Sequence, residues 1–281
     1  MKIVNGFDLF AYAKKKNLLL PAFNTTNLEM TKAIILGLND AHLPGFIQIS
    51  SNNLKLSDPG MIADLVRDFL ENTETPIGLH LDHGKSFEDV RRCVDAGFTS
   101  VMVDASAYGF EDNIRAVRRA AEYCHFYDIP VEAELGAIRG KEDDNCSEAD
   151  CKTDPALVEE FVDRSGCDTL AVSIGNVHGL EEIPRIDLPL LKEIAEVSPV
   201  PLVLHGGSGI SFELIRNMKT YKMSKINYGS DLRQAYIKTF GKAYEVNHKE
   251  ADLYGLSMKA VENVRQTACD LVRIINGFEE G

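Results

Sequence analysis

The sequence predicts an α/β fold, a (β/α)8 TIM barrel with an N-terminal helix and extra C-terminal helices. Two observations predict it. Eight short apolar runs rich in β-branched residues recur at near-regular intervals, each ending in small or polar residues before an amphipathic helical stretch. The length of 281 residues also suits one barrel of roughly 250 residues with additions.

The expected strands are LLLPAFN (18–24), GFIQIS (45–50), PIGLHLD (76–82), SVMVDAS (100–106), PVEAELG (130–136), TLAVSIG (169–175), PLVLHGG (201–207) and KINYG (225–229). Helical periodicity fills the gaps. NLEMTKAIILGLNDAH sets Met30, Ile34, Ile35 and Leu38 on one face, and FEDNIRAVRRAAEYCHF does the same with Ile114, Val117 and Ala121. Ser86 caps SFEDVRRCVDAG, while TDPALVEEFVDRSG opens on Asp154 and Pro155 and stops at Gly166. One helix precedes the first strand, and extra helices run from about Met258 onward. No linker or change of composition divides the chain, so residues 1–281 read as a single domain. The longest interruption, AIRGKEDDNCSEADCKT (137–153), follows strand five at the carboxyl end of the barrel, where a polar loop reads as a mobile lid rather than a disordered insertion.

Composition narrows the partners. With 30 basic and 43 acidic residues the formal charge is −13, which repels nucleic-acid backbones and anionic membrane surfaces. A single phosphate held in a pocket remains compatible with that charge. No stretch approaches 18 consecutive apolar residues and the first residues lack a signal-peptide layout, so the expectation is a cytoplasmic protein. Six cysteines without framework spacing read as reduced thiols. Cys146 and Cys151 share a polar loop, but two thiols without partners make a poor metal site.

In such a barrel the polar residues at strand C-termini meet above the core. Here they are Asn24, Gln48, Ser50, His80, Asp82, His83, Asp104, Ser106, Glu132, Glu134, Asn176, His178, His205, Asn227 and Ser230. Three histidines from three strands form the ligand set of an open zinc site with a fourth position for water or substrate. His83, His178 and His205 suit this best, since each directly precedes a glycine. His80 shares the strand parity of Asp82 and should point inward lower down, as a packed or supporting group. Asp82, beside His83, could orient a ligand or exchange protons with substrate. Asp104 and Glu134 are further inward acids that could hold a second cation or supporting bonds. Glu142 lies in the lid loop, where an acid could be carried over substrate.

HGGSG (205–209) and KINYGSDLR (225–233) are the second signal. Small-residue turns after strands seven and eight bind phosphate through backbone N–H groups and a helix start, with Ser208 and Ser230 adding hydroxyls.

At these residues the sequence resembles a known family. LHLDHG (79–84), VEAELG (131–136), AVSIGNVHG (171–179), LVLHGGSG (202–209) and KINYGSDLR (225–233) are similar to the signature blocks of class II, zinc-dependent fructose/tagatose-bisphosphate aldolases, with most flavour of the short tagatose-bisphosphate branch. The likeness runs from PAFNTTN (21–27) to the last strand. It implies that His83, His178 and His205 hold catalytic zinc and that Asp104 and Glu134 match a secondary cation position. Asp82 matches the acid that handles the hydroxyl proton at the bond being broken. Glu142 matches the loop acid that returns or removes the proton on the dihydroxyacetone phosphate carbon. Gly179, Gly206, Gly207, Ser208, Asn227, Gly229 and Ser230 match the groups around that triose phosphate, with a monovalent cation (Na+ or K+) often nearby. Ser50 and Arg233 match contacts to the distal half of the sugar, and Asn24 belongs to the same substrate set. The implied reaction is reversible cleavage of a ketose 1-phosphate or 1,6-bisphosphate into dihydroxyacetone phosphate and an aldehyde, in a homodimer or homotetramer.

Two positions depart from the family. Ala107 stands where many relatives carry His, and Gly229 where fructose-bisphosphate enzymes have Asp and tagatose-bisphosphate enzymes usually Ala. Both lie toward the distal half of the substrate, so they bear on substrate identity rather than on aldol chemistry. Other readings stay open beside this one. A Schiff-base aldolase using Lys225 would leave the three histidines unexplained, and a zinc hydrolase would leave the phosphate turns idle. A non-catalytic sugar-phosphate sensor or aldolase-assembly subunit is the alternative from another class.

Overall fold

A computed structural model describes residues 2–71, 73–142, 145–147 and 151–278, without the side chains of 139–142 and 145–147. In chain order the elements are α1 (Gly6–Lys16), β1 (Leu20–Asn24), α2 (Leu28–Ala41), β2 (Gly45–Ser50), α3 (Pro59–Leu70), β3 (Ile77–Gly84), α4 (Phe87–Ala96), β4 (Ser100–Val103), α5 (Phe110–Phe126) and β5 (Val131–Leu135). They continue with β6 (Arg139–Glu142), β7 (Asn145–Ser147), α6 (Pro155–Ser165), β8 (Thr169–Val172), β9 (Val177–His178), α7 (Leu188–Val197), β10 (Leu202–Leu204), α8 (Phe212–Met218), β11 (Met223–Tyr228), α9 (Ser230–Val246) and α10 (Leu253–Ile275). Eight parallel strands close in the order β1-β11-β10-β8-β5-β4-β3-β2, the (β/α)8 barrel expected from the sequence.

Local chemistry sets the helix ends. Ser86 accepts from the Asp89 N–H and Gly97 closes α4 in the left-handed region, while Asp154 caps α6 ahead of Pro155 and Gly166 ends it. The last helix begins at Leu253 rather than near Met258, because the Asp252 side chain caps it at Gly255 N–H. α10 lies along α2 at Gly37, where a Cβ would stand 2.5 Å from the Arg265 carbonyl oxygen. Just past its end, the Asn276 amide bonds to both backbone groups of Leu19, next to the start of β1.

The main core fills the space between strands and helices, with Ile47, Leu79, Leu81, Val101 and Val131 facing outward into it. Inside the barrel the layers change character with height. Leu9 of α1 packs with Leu20, Ala22 and Phe46 at the floor. Met102, Ala171 and Val203 form a small apolar layer in the middle. The strand alternation then delivers polar side chains above them.

The described residues of the segment expected as a lid include two short strands. β6 and β7 form an antiparallel hairpin, and β6 pairs in parallel with β9, setting Gly140 opposite His178. Among the described residues no helix is long and apolar enough to cross a membrane. Cys93, Cys124 and Cys167 are buried, and burial pushes the Cys124 and Cys167 thiols up to about 12.

Candidate metal centre and active site

His83 cannot face the axis by strand alternation, since Asp82 already does. A break in the β3 ladder solves this. The β3–β4 register shifts between Leu81 and Gly84, and His83 takes a left-handed φ of 47°. Such a bulge re-aims one side chain and brings two successive residues to the same face. Gly84 is required next, because a Cβ there would lie 2.5 Å from the Met102 carbonyl oxygen.

His178 and His205 meet through a second tight approach. His205 follows β10 directly, and Gly206 turns away at φ +68° with a would-be Cβ 2.1 Å from the Val177 carbonyl oxygen. Only glycine lets β9 and β10 close to that distance. Asn176 pins the same junction by donating to the His205 carbonyl at 3.0 Å and accepting from Ile174 N–H at 2.9 Å.

Ligand atoms of His83, His178 and His205 all lie within 4.8 Å of one another. Their ring centroids stand 4.7 to 5.9 Å apart. Carboxylates hold the far side of two rings: Asp104 meets His83 Nδ1 at 2.9 Å and Glu132 meets His205 Nε2 at 2.8 Å. That assignment makes both nitrogens donors outward and leaves His83 Nε2 and His205 Nδ1 as lone pairs, facing each other at 3.0 Å. Two imidazole lone pairs at that distance repel, and a cation between them would relieve the repulsion. Burial also lowers the pKa of His205, which keeps it the neutral imidazole a metal needs. The donor set therefore fits a divalent metal.

His83, Asp104 and Glu134 form a second group with ligand atoms inside the same 4.8 Å limit. Burial would raise Asp104, but bonds from His83 and from Ser106 Oγ at 2.7 Å hold it well below the usual carboxylate range. Glu134 goes the other way. Burial and the Asp104 charge push it up to about 8, and its Oε2 has no partner among the described residues. A carboxyl so placed keeps a proton or faces a cation.

Asp82 is fully buried with both oxygens held: Asn24 donates to Oδ2 at 2.9 Å and Asn227 to Oδ1 at 3.1 Å. Its Oδ1 lies 4.0 Å from His83 Nε2. Ser50 stands beside it in the β2–β3 register. His80 sits lower, buried and bonded to Ser100 Oγ at 2.8 Å, as its parity predicts.

The two small-residue turns are tied together by the Gly207 N–H donating to the Asn227 carbonyl at 2.9 Å. Gly179 follows His178 at φ +89°, and Ser208 donates to Asp231 at 2.6 Å. Gly229 and Ser230 open α9, whose N-terminus no side chain caps. An uncapped helix start of this kind leaves N–H groups that an anion could take up. At Gly229 a Cβ would come 2.9 Å from Arg233 Nη2 and 3.1 Å from Asn24 Oδ1, so the missing side chain makes room for the guanidinium. The backbone of Glu142 lies on β6 opposite Asn145, and its side chain lies outside the described residues, as does that of Cys146. Exposed Cys151 is a free thiol.

Sequence reasoning gave no supporting role to Lys225 and Gln48. Lys225 is fully buried, donating to Glu132 at 3.0 and 3.3 Å and to Asn227 Oδ1 at 2.8 Å. Its Nζ is thus engaged by Glu132 and Asn227, whereas a Schiff base needs a free amine facing substrate. Gln48 donates to Asn24 Oδ1 at 2.9 Å. The spacing of two between Lys225 and Asn227 was the available signal, since it puts both on the inner face.

Known proteins share this arrangement of chain. The family model described as fructose-bisphosphate aldolase class-II matches residues 4–277. A fructose-bisphosphate aldolase of Geobacillus stearothermophilus is 36% identical over 242 residues, covering 85% of this chain and 84% of the relative. One from Staphylococcus epidermidis is 34% identical over 260 residues, covering 90% and 89%. The crystal structure of the YdjI aldolase from Escherichia coli K12 superposes with a TM-score of 0.84 at 30% identity, covering 97% of each chain. With a match that spans nearly the whole barrel and relatives above 30% identity, the chain belongs to the class II fructose-bisphosphate aldolase family.

Proposed function

We propose that this aldolase uses zinc to cleave a ketose 1-phosphate or ketose 1,6-bisphosphate, of fructose or tagatose type, into dihydroxyacetone phosphate and an aldehyde. The convergence of His83, His178 and His205 beside a doubly bonded Asp82 carries the reading. His83, His178 and His205 would hold the zinc, and Asp104 with Glu134 a secondary cation position. Zinc there supplies Lewis-acid polarisation of the substrate carbonyl.

The chain's own residues do the rest. Asp82 takes the proton from the hydroxyl next to the breaking bond, and Asn24 and Asn227 keep its oxygens aimed. Glu142 returns a proton to the triose carbon. Gly179, Gly206, Gly207, Ser208, Asn227, Gly229 and Ser230 receive the triose phosphate, through backbone N–H groups and the open end of α9. A monovalent cation beside that phosphate would offset its charge. Ser50 and Arg233 face the distal half of the sugar, where the Gly229 gap admits the guanidinium. The working unit is one barrel domain, assembled as a homodimer or homotetramer.

A screen of ketose 1-phosphates with and without a distal phosphate, coupled to detection of dihydroxyacetone phosphate, tests the substrate. Turnover should vanish on chelation, return with zinc, and resist borohydride. Activity that survives chelation but is lost to borohydride overturns the zinc reading.

A further inference from the structure

Asn227 presents an ambiguous group to Asp82. An amide offers oxygen or NH2 with equal ease, and only its other partner decides which end faces the carboxylate. For Asn24 that partner is Gln48, another amide, so nothing on that side fixes the sense independently. For Asn227 it is Lys225, an ammonium that can only donate. With Asn227 Oδ1 committed to Lys225 at 2.8 Å, Nδ2 has to face Asp82.

The same ammonium grips Glu132 by both oxygens, and Glu132 in turn holds His205 Nε2 at 2.8 Å. Lys225, Glu132 and His205 are 0–1% exposed, so these bonds are shielded from bulk water. We propose that Lys225 is a positioning residue for the reaction: one buried ammonium fixes the orientation of Asp82 through Asn227 and of His205 through Glu132. It rests on the assignment of Asp82 as the proton acceptor and of His205 as a metal ligand. Lys225 touches neither substrate nor metal. It sets the geometry of the group that moves the proton and of one that holds the cation, and so keeps the two in register across the barrel.

The test compares Lys225→Met with the double variant Lys225→Met/Glu132→Gln, because the single change strands a buried carboxylate and lowers stability. The double variant restores charge balance and leaves His205 an acceptor, while Asn227 still lacks its donor. Zinc affinity of the metal-stripped protein, read by competition with a chelating dye, should fall about 10- to 100-fold in Lys225→Met and stay below native in the double variant, whose amide at position 132 has lost the ammonium that held it. At saturating zinc the kcat should fall about 10- to 100-fold in both, with KM within threefold of native. A double variant that turns over within twofold of native overturns the proposal. Asp82→Ala is measured alongside: if it is inactive while the double variant is native-like, positioning by Lys225 fails alone, whereas an active Asp82→Ala overturns the assignment beneath it.

Discussion

Asp82 is an acid whose two oxygens both accept from amide N–H donors, which fix its direction. Asp82→Ala is therefore expected to cost about 10²–10⁴ in kcat and to leave zinc bound, as metal analysis of the purified variant would show. Glu134 gives a pH-dependent signature in the metal-free protein. Its folded pKa is raised from 4.5 to about 8 by burial and the Asp104 charge, so the folded state binds that proton more tightly than the unfolded chain. Stability is fully present below about 4.5 and is lost as pH rises through about 8. Thermal melts of chelator-treated protein should track that fall, and Glu134→Gln should flatten it. At this scale the sequence exposed residue types and spacing, so the three histidines that converge and Asp82 beside them were legible. The pairings were not: nothing in strand parity says that Lys225 faces Glu132 across the barrel.

At the scale of elements, glycines decide where the ligands sit. Gly206 and Gly209 both have positive φ, +68° and +84°, but their surroundings differ. A Cβ at Gly206 would strike the Val177 carbonyl at 2.1 Å, whereas at Gly209 the nearest atoms are 3.7 Å away. Both Ala variants incur backbone strain of about 1–3 kcal/mol, and only Gly206→Ala drives β9 from β10. Calorimetry with zinc should show weakened binding for Gly206→Ala and near-native binding for Gly209→Ala. The bulge at His83 escaped the sequence reading, because strict alternation puts Asp82 and His83 on opposite faces. The β6–β7 hairpin was likewise hidden, since its partner β9 is a two-residue strand without an apolar pattern.

For the whole molecule, α10 is packed into the outer layer of the barrel rather than appended to it. It buries Ala260, Val261, Val264, Ala268, Cys269, Leu271, Val272 and Ile275 and is followed by Asn276, which bonds the start of β1. Fully burying a large aliphatic side chain contributes about 1.5–3 kcal/mol, so the aliphatic members alone rival the total stability of about 5–15 kcal/mol. A chain ending at residue 250 should fail to give a cooperative melt, and a native-like transition would show that α10 is dispensable. The charge of −13 belongs to the chain as a whole, while locally α9 starts uncapped and Arg233 lies beside Gly229.

The sequence by itself determined the barrel, its strand order, the helix caps and the set of polar residues at the carboxyl ends, because periodicity, capping and strand parity are local and repeat eight times. It also brought the three histidines forward as ligands. The tertiary structure decided how those residues are aimed: His83 swung inward by a left-handed bulge, β9 drawn onto β10 by Gly206, and Asp82 and His205 tied to one buried lysine. Those depend on contacts between strands far apart in the chain, where packing and charge pairing, not local propensity, set the outcome.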